Sequence, residues 1–316
     1  MFKFTVFVLS AILACSLAED SPSWHHSTQD SWGEDFPDCS GKEQSPINLI
    51  NANETKASPI SFNGYATKFK GNDLVLTNNG HSAELSYENI PNEGKPSISG
   101  GILGEETYIL EQIHFHWGGG NRRGSEHTID FKAYDLEAHL VHRNSKFESV
   151  AEAAGQENGL TVLGFLYEER SALFGYDSDI KQITSILPII QNEGNTARIK
   201  KTFETGKNFP VDKQITYYNY PGSLTTPGCS ENVNWIVFDM IQGVAADELK
   251  KFRGLKIADG SALIDNYRKV RDLNERNVTL INTDEKKKFE AGKFPKVKFQ
   301  KKLLQDSVDQ EAIAQN

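Results

Sequence analysis

Two histidines two residues apart, His114 and His116, sit in the stretch YILEQIHFHW at residues 108–117. Read as a strand, strict alternation through it puts Gln112, His114 and His116 on one face and Glu111, Ile113, Phe115 and Trp117 on the other. Imidazoles so spaced stand about 6.5–7 Å apart at Cα, and both can converge on one ion at about 2.0–2.1 Å. The pair is half of a metal site, and it also fits two polar side chains on a half-exposed strand. A second alternating stretch, DLEAHLVH at 135–142, places Glu137, His139 and Val141 on one face and Leu140 and His142 on the other. Between the two lies the flexible run GGGNRRG at 118–124. Antiparallel pairing about a centre near His127 sets His139 opposite positions 114 to 116, and three imidazoles then converge.

A three-histidine set suits Zn2+ with the fourth position left to water, the pattern of catalytic sites; structural sites fill all four positions with protein groups. Zinc is expected over copper or nickel on geometry and availability. A ligating imidazole usually gives its other N–H to a carbonyl or carboxylate. Gln112 and Glu137, each two residues before a histidine on the same face, are the expected partners of His114 and His139. The plainer alternative for both is a polar residue on a wet strand face.

The elements that must position these groups read as many short strands between turn residues. GND at 71–73 precedes a strand at 74–77, NNG at 78–80 follows it, and 82–87 reads as the next. Continuous apolar runs at 160–167 and 235–240 fit buried strands. Helices are few and short, at 150–154, 178–190 and 246–253. The expected fold class is mostly β, an α+β domain with peripheral short helices.

The chain has 316 residues, 38% hydrophobic and 24% charged, an ordinary balance for a globular protein. No linker or internal repeat interrupts residues 30 to 280, so one large domain is expected. A net charge of −9 favours solubility and gives no reason to expect nucleic acid as a partner. No apolar run after the first residues is long enough to span a bilayer. Residues 1–18 carry Lys3, an apolar run at 4–13, and Ser16-Leu17-Ala18, a small-x-small cleavage pattern, and read as a secretory signal peptide. Ile12-Leu13-Ala14-Cys15 also fits a lipoprotein box, which would leave Cys15 lipidated. Removing the signal leaves Cys39 and Cys229, an even pair that suits a disulfide in an oxidising compartment, although the spacing does not say whether they meet. Sequons at Asn53 and Asn277 agree with secretion.

Taken in order, Gln44-Ser45-Pro46-Ile47, Asn78-Asn79-Gly80-His81, His114-Phe115-His116-Trp117-Gly118, Ser125-Glu126-His127, the EAHLVH run at 137–142 and YPGSLTTP at 220–227 resemble an α-class carbonic anhydrase. The likeness runs from about Trp32 to about Asn277 without large gaps, giving a domain at 19–282 between the signal peptide and an extension at 283–316. It implies a twisted, largely antiparallel central sheet of about ten strands with zinc in a conical cleft. It further implies reversible hydration of carbon dioxide to bicarbonate and a proton, so the expected partner is a small molecule; the sequence does not set the oligomeric state, for which a monomer is favoured.

Residue by residue, the resemblance makes His114, His116 and His139 the zinc ligands. Thr225 accepts a hydrogen bond from the zinc-bound nucleophile and donates to Glu126. Val141, Val162, Leu224, Val233 and Trp235 match apolar walls of the substrate pocket, with the Thr225 amide and Thr226 as polar contacts; taken one at a time, each apolar residue equally suits core packing. His81 becomes the proton shuttle at the cleft mouth, its ordinary pKa near 6.5 suited to transfer near neutral pH. His127 and His142 are expected to be structural, and His25 and His26 exposed. Cys39 and Cys229 match positions bridged in secreted members.

Several positions depart from the commoner pattern: Glu34 follows Trp32-Gly33 where tyrosine is usual, Glu84 replaces a neutral cleft residue, Arg143 replaces a tryptophan, and Tyr267 stands in the Asp-Asn-Trp-Arg motif. Residues 286–302 hold eight lysines with Phe289, Phe294 and Phe299 interleaved, before an acidic end. That extension reads as a solvated tail or a wrapping strand ahead of a polyanion-binding patch. The rival from another class is a non-catalytic carbonic-anhydrase-like binding protein. Such proteins typically lack a ligand histidine, and here all three are present.

Overall fold

The computed structural model describes residues 23–283 other than 51, 121, 171–178 and 214. The expected signal peptide and the Lys-rich extension past Thr283 lie outside the described residues. Those described form strands β1 (Asn48–Leu49), β2 (Asn53–Lys56), β3 (Ile60–Asn63), β4 (Leu74–Asn78), β5 (Ala83–Tyr87), β6 (Ser97–Gly100) and β7 (Thr107–Trp117). There follow β8 (Thr128–Ile129), β9 (Leu136–Asn144), β10 (Leu160–Arg170), β11 (Thr196–Arg198), β12 (Thr216–Gly222), β13 (Val233–Phe238), β14 (Gln242–Ala245) and β15 (Thr279–Asn282).

Ten of these strands run across one large sheet in the order β11-β4-β5-β7-β9-β10-β13-β12-β15-β2, with β14 on β10, β6 on β7 and β3 on β6. The sheet is mixed. Most neighbours are antiparallel, but β10 pairs parallel with β13 and β14, and β15 with β2. Each parallel pair joins strands far apart in sequence, as parallel pairing requires. β10 is buried along its apolar run because β9 and β13 flank it and both faces are covered.

The two faces carry separate cores. Ile113, Phe115, Trp117, Leu140, Leu163 and Phe165 pack on one, and Val141, Leu160, Val162, Tyr220, Val233 and Trp235 on the other. Strict alternation along 108–117 does not hold. The register between β7 and β9 shifts between Leu110 and Gln112, leaving Glu111 as the extra residue of a β-bulge. Tyr108 and Leu110 therefore share the core with the odd-numbered Ile113, Phe115 and Trp117, while Gln112, His114 and His116 turn to the opposite face. Without the bulge, two large apolar side chains would lie on the histidine face. Glu111 itself takes ion pairs from Lys95 and from Arg143, the latter otherwise buried at the departed tryptophan position.

Helices form at Val150–Ala154 and Ala246–Phe252, as expected. The expected helix at 178–190 is instead a turn of α-helix at Lys181–Thr184 and a 3-10 turn at Leu187–Ile190. Pro188 lacks the N–H a continuous helix would need and sits where a new turn begins. The apolar strand expected at 235–240 ends at Phe238, and Met240 is exposed.

Cys39 and Cys229, 190 residues apart, are joined by a disulfide. His142, fully buried on β9, donates from Nδ1 to the Leu140 carbonyl at 2.9 Å and takes a hydrogen bond at Nε2 from Tyr65 Oη at 2.7 Å. Burial holds its pKa down at about 3.

Two measurements follow from these features. Replacing both cysteines by serine releases a loop constraint of roughly 4–5 kcal/mol in the entropic model, so thermal unfolding should move down by about 10 °C; an unchanged midpoint would show that the bridge restrains little. For His142, the folded pKa lies below the unfolded one, so the unfolded chain binds the extra proton and stability falls as pH drops from about 6.5 toward 3. His142→Gln should flatten that part of a denaturant-stability profile by about one proton relative to wild type, at some cost in stability at pH 8.

Candidate metal centre

The register places the histidines where they can meet. His114 on β7 lies directly opposite His139 on β9, and His116 opposite Glu137. His116 Nε2 stands 3.1 Å from His139 Nδ1, and His139 Nδ1 stands 3.3 Å from His114 Nε2. Ligands at about 2.0–2.1 Å around a tetrahedral ion are about 3.3–3.4 Å apart, close to this spacing.

The outer nitrogens decide what the inner ones are. His116 Nδ1 lies 2.8 Å from the backbone carbonyl of Asn266, which can only accept, so that nitrogen carries the proton. His139 Nε2 lies 2.7 Å from Glu137 Oε1 and donates to it likewise. His114 Nδ1 donates to Gln112 Oε1 at 2.8 Å. Each inner nitrogen is thus a bare lone pair, and the short separations between them are not hydrogen bonds. Three lone pairs aimed at one point repel unless a cation lies among them, so the donor set fits a metal ion. Burial, reinforced by the neighbouring imidazoles, holds His114 well below its ordinary pKa, and burial lowers His116 too, keeping both neutral as ligands must be.

Glu137 fixes more than one imidazole. Its Oε2 accepts the backbone N–H groups of Glu126 and His127, both at 2.8 Å, and its Oε1 accepts from His127 Nδ1 and His139 Nε2, both at 2.7 Å. Burial alone would raise this carboxyl; His127 and His139 beside it hold it well below the usual range. His127 in turn meets Tyr220 Oη at 2.6 Å, and Tyr220 Oη stands 3.0 Å from Ser45 Oγ. Gly164 faces His139 from β10. A Cβ there would stand 3.3 Å from Val237 and 3.4 Å from Glu137 Oε1, so the strand passes close beside the carboxylate.

The loop carrying Thr225 and Thr226 is tied at several points. Leu224 N–H bonds the Ser230 carbonyl, Cys229 N–H bonds the Thr226 carbonyl, and Trp235 Nε1–H bonds the Ser223 carbonyl. Cys229, at φ 43°, then anchors the turn to Cys39. Val141, Val162, Val233 and Trp235 are almost wholly buried in one cluster, with Leu224 partly exposed against it. The Trp235 ring lies 4.7 Å from that of His139.

Glu126 is buried, and its Oε1 accepts from the backbone N–H of Arg268 at 2.7 Å. Its Oε2 has no hydrogen-bond partner, so the bond expected from Thr225 is not closed in this structure. His81 sits in a turn where Asn79 Oδ1 accepts the N–H groups of His81 and Ser82. Its ring stacks on Trp24 at 3.8 Å, and burial lowers its pKa, with His25 adding to the effect. A cavity of about 640 Å³ opens nearby, lined among others by His26, His81, Glu126, Asn266 and Arg268. His26 is buried against Trp24 and Trp32, not exposed as expected, and burial together with His116 holds it down at about 3. The 3-10 turn beginning at His26 sets its ring 6.5 Å from that of His116 on β7, a contact that composition alone does not reveal.

Sequence reasoning missed Asn266. Its carbonyl holds His116, its Oδ1 accepts the Trp117 N–H, and its Nδ2 donates to the His81 and Phe115 carbonyls. The signal lay in the Asp265-Asn266-Tyr267-Arg268 run, read there only for its tyrosine. Arg268 of the same run donates to Gln44 Oε1, Ser45 O and Cys39 O, clamping the segment beside the disulfide.

A partner of this kind typically contributes a factor of about 10–100 in metal affinity. Loaded with zinc as the probe, Glu137→Gln, which cannot accept four donors, should therefore give it up to a chelator at a concentration about 10–100-fold lower than wild type loaded in the same way, measured by competition at pH 7.5; equal retention would mean that His139 is oriented by other contacts.

Residues 27–282 match the family model of the eukaryotic-type carbonic anhydrases. The chain is 34% identical over 258 residues to the carbonic anhydrase-related protein of Rattus norvegicus, covering 76% of this chain and 84% of that one. It is 32% identical over 261 residues to carbonic anhydrase 15 of Mus musculus, covering 79% of each. It is 32% identical over 254 residues to carbonic anhydrase 6 of Bos taurus, covering 78% of this chain and 75% of that one. Matched over most of its length, and carrying three imidazoles arranged to receive one ion, the chain belongs to the eukaryotic-type carbonic anhydrase family.

Proposed function

We propose that this protein is a secreted, zinc-dependent carbonic anhydrase that interconverts carbon dioxide and bicarbonate. The observation that carries the reading is the convergence of three unprotonated nitrogens, His114 Nε2, His116 Nε2 and His139 Nδ1, each with its other nitrogen already engaged. Zinc held there supplies a nucleophile at neutral pH, the chemistry for which carbonic anhydrase is the standard instance.

The chain's own residues do the rest. Gln112, the Asn266 carbonyl and Glu137 lock the tautomers, so no proton competes for the ligand positions. The wall of Val141, Val162, Leu224, Val233 and Trp235 offers carbon dioxide an apolar surface and keeps bulk water away. Thr225 Oγ1, with Glu126 Oε2 as its free buried acceptor, orients the attacking group, while the Thr225 amide and Thr226 hold the substrate oxygen. His81, half-buried near the cavity, carries the proton outward. The disulfide and the exposed sequon asparagines Asn53 and Asn277 support export from the cell. Among the described residues, no helix is long and apolar enough to cross a membrane.

The likeness to a protein named carbonic anhydrase-related protein supports a second reading, a binding module of the same fold without turnover. Stopped-flow hydration of carbon dioxide, with zinc quantified in the same sample, separates the two. The enzyme reading expects zinc near one per chain and fast hydration that falls to background in His139→Ala; a zinc-loaded wild type without hydration would favour the binding module.

A further inference from the structure

Glu84 lies in the same transverse row of the sheet as the candidate ligands. The register pairs Thr77 with Glu84, Glu84 with His114, and His114 with His139. Directly opposed residues of an antiparallel pair share a face and stand about 4.5–5.5 Å apart at Cβ. The Glu84 side chain therefore flanks His114 on the side away from His139. Burial along β5 agrees with this direction. Ala83, Leu85 and Tyr87 are sealed in the core of the far face, whereas Glu84 and Ser86 are only partly buried. Glu84 Oε2 accepts from Asn79 Nδ2 at 3.3 Å, and Asn79 Oδ1 holds the turn that carries His81. Burial raises the Glu84 carboxyl, and the bond from Asn79 opposes that rise.

We propose that Glu84 is a specificity-determining residue of the site, its carboxylate weakening the binding of small monovalent anions, the bicarbonate product among them, at a metal held by His114, His116 and His139. The inference rests on the zinc reading above. A carbon dioxide molecule is uncharged and meets no net repulsion from this carboxylate, whereas any anion approaching the metal does. Glu84 thus separates substrate from product by charge, on the polar side of a site whose other wall is apolar. In a partly buried setting a like charge within about 10 Å changes an anion's affinity by about three- to tenfold.

The test uses thiocyanate as the anion, titrated by isothermal calorimetry at pH 8 into the full-length zinc-loaded protein, with zinc content measured for each sample. Glu84→Gln keeps an acceptor for Asn79 and removes the charge; Glu84→Lys reverses it. The thiocyanate Kd should fall by about three- to tenfold in Glu84→Gln and further in Glu84→Lys. Equal Kd values in the three zinc-loaded proteins would overturn the proposal while leaving the zinc reading intact, and a wild type that takes up no zinc would overturn both. An equal gain in Asn79→Ala, which leaves the carboxylate in place, would assign the effect to the turn and overturn the role of the charge.

Discussion

One buried carboxylate governs the geometry of this site. Glu137 has four strong donors around two oxygens, and an ionised carboxylate has about four lone-pair positions to offer them. Because every position is taken, the carboxylate cannot rotate without leaving a buried donor unpaired, which costs more than the bond itself contributes. The His139 ring is therefore held in one tautomer and one orientation, and so is the segment bearing Glu126 and His127.

The sheet divides the site into two kinds of surface by its rows. Thr77, Glu84, His114 and His139 follow one another across β4, β5, β7 and β9. One row along, Ser86, Gln112, Val141, Val162, Trp235 and Tyr220 succeed each other from β5 to β12. Polar groups gather toward β5 and apolar ones toward β13, so the imidazoles stand at a boundary. The hydration proposed above would use both sides, the apolar one to admit an uncharged gas and exclude bulk solvent and the polar one to conduct a proton away.

Long-range ties hold the irregular parts. Arg268 reaches the carbonyls of Cys39 and Ser45, the disulfide links that region to the Thr225 loop, and Asn266 joins the His81 turn to the end of β7. Loops that carry chemistry would otherwise sample many conformations, and each tie removes part of that freedom before any ligand arrives.

The sequence by itself determined the period-two strands, the ligand candidates and two of their three outer partners. A strand's alternation is local, and a residue two positions before a ligand necessarily shares its face. The turn at Asn78-Asn79-Gly80 was legible for the same reason, since an asparagine side chain satisfies backbone donors two and three residues ahead. Tertiary structure decided what no local pattern contains. The bulge at Glu111 reverses the parity that simple alternation assigns to Tyr108 and Leu110, because only packing against β9 shows which face each must take. The third outer partner comes from Asn266, 150 residues beyond His116, through a backbone carbonyl that has no residue-type signature. The burial of His26 depends on contacts with Trp32 and with His116 on β7, and Pro188 divides a stretch read in the sequence as one helix. Local side-chain direction follows from backbone geometry and can be read in the sequence, whereas register, burial and distant backbone partners are fixed only when the elements pack.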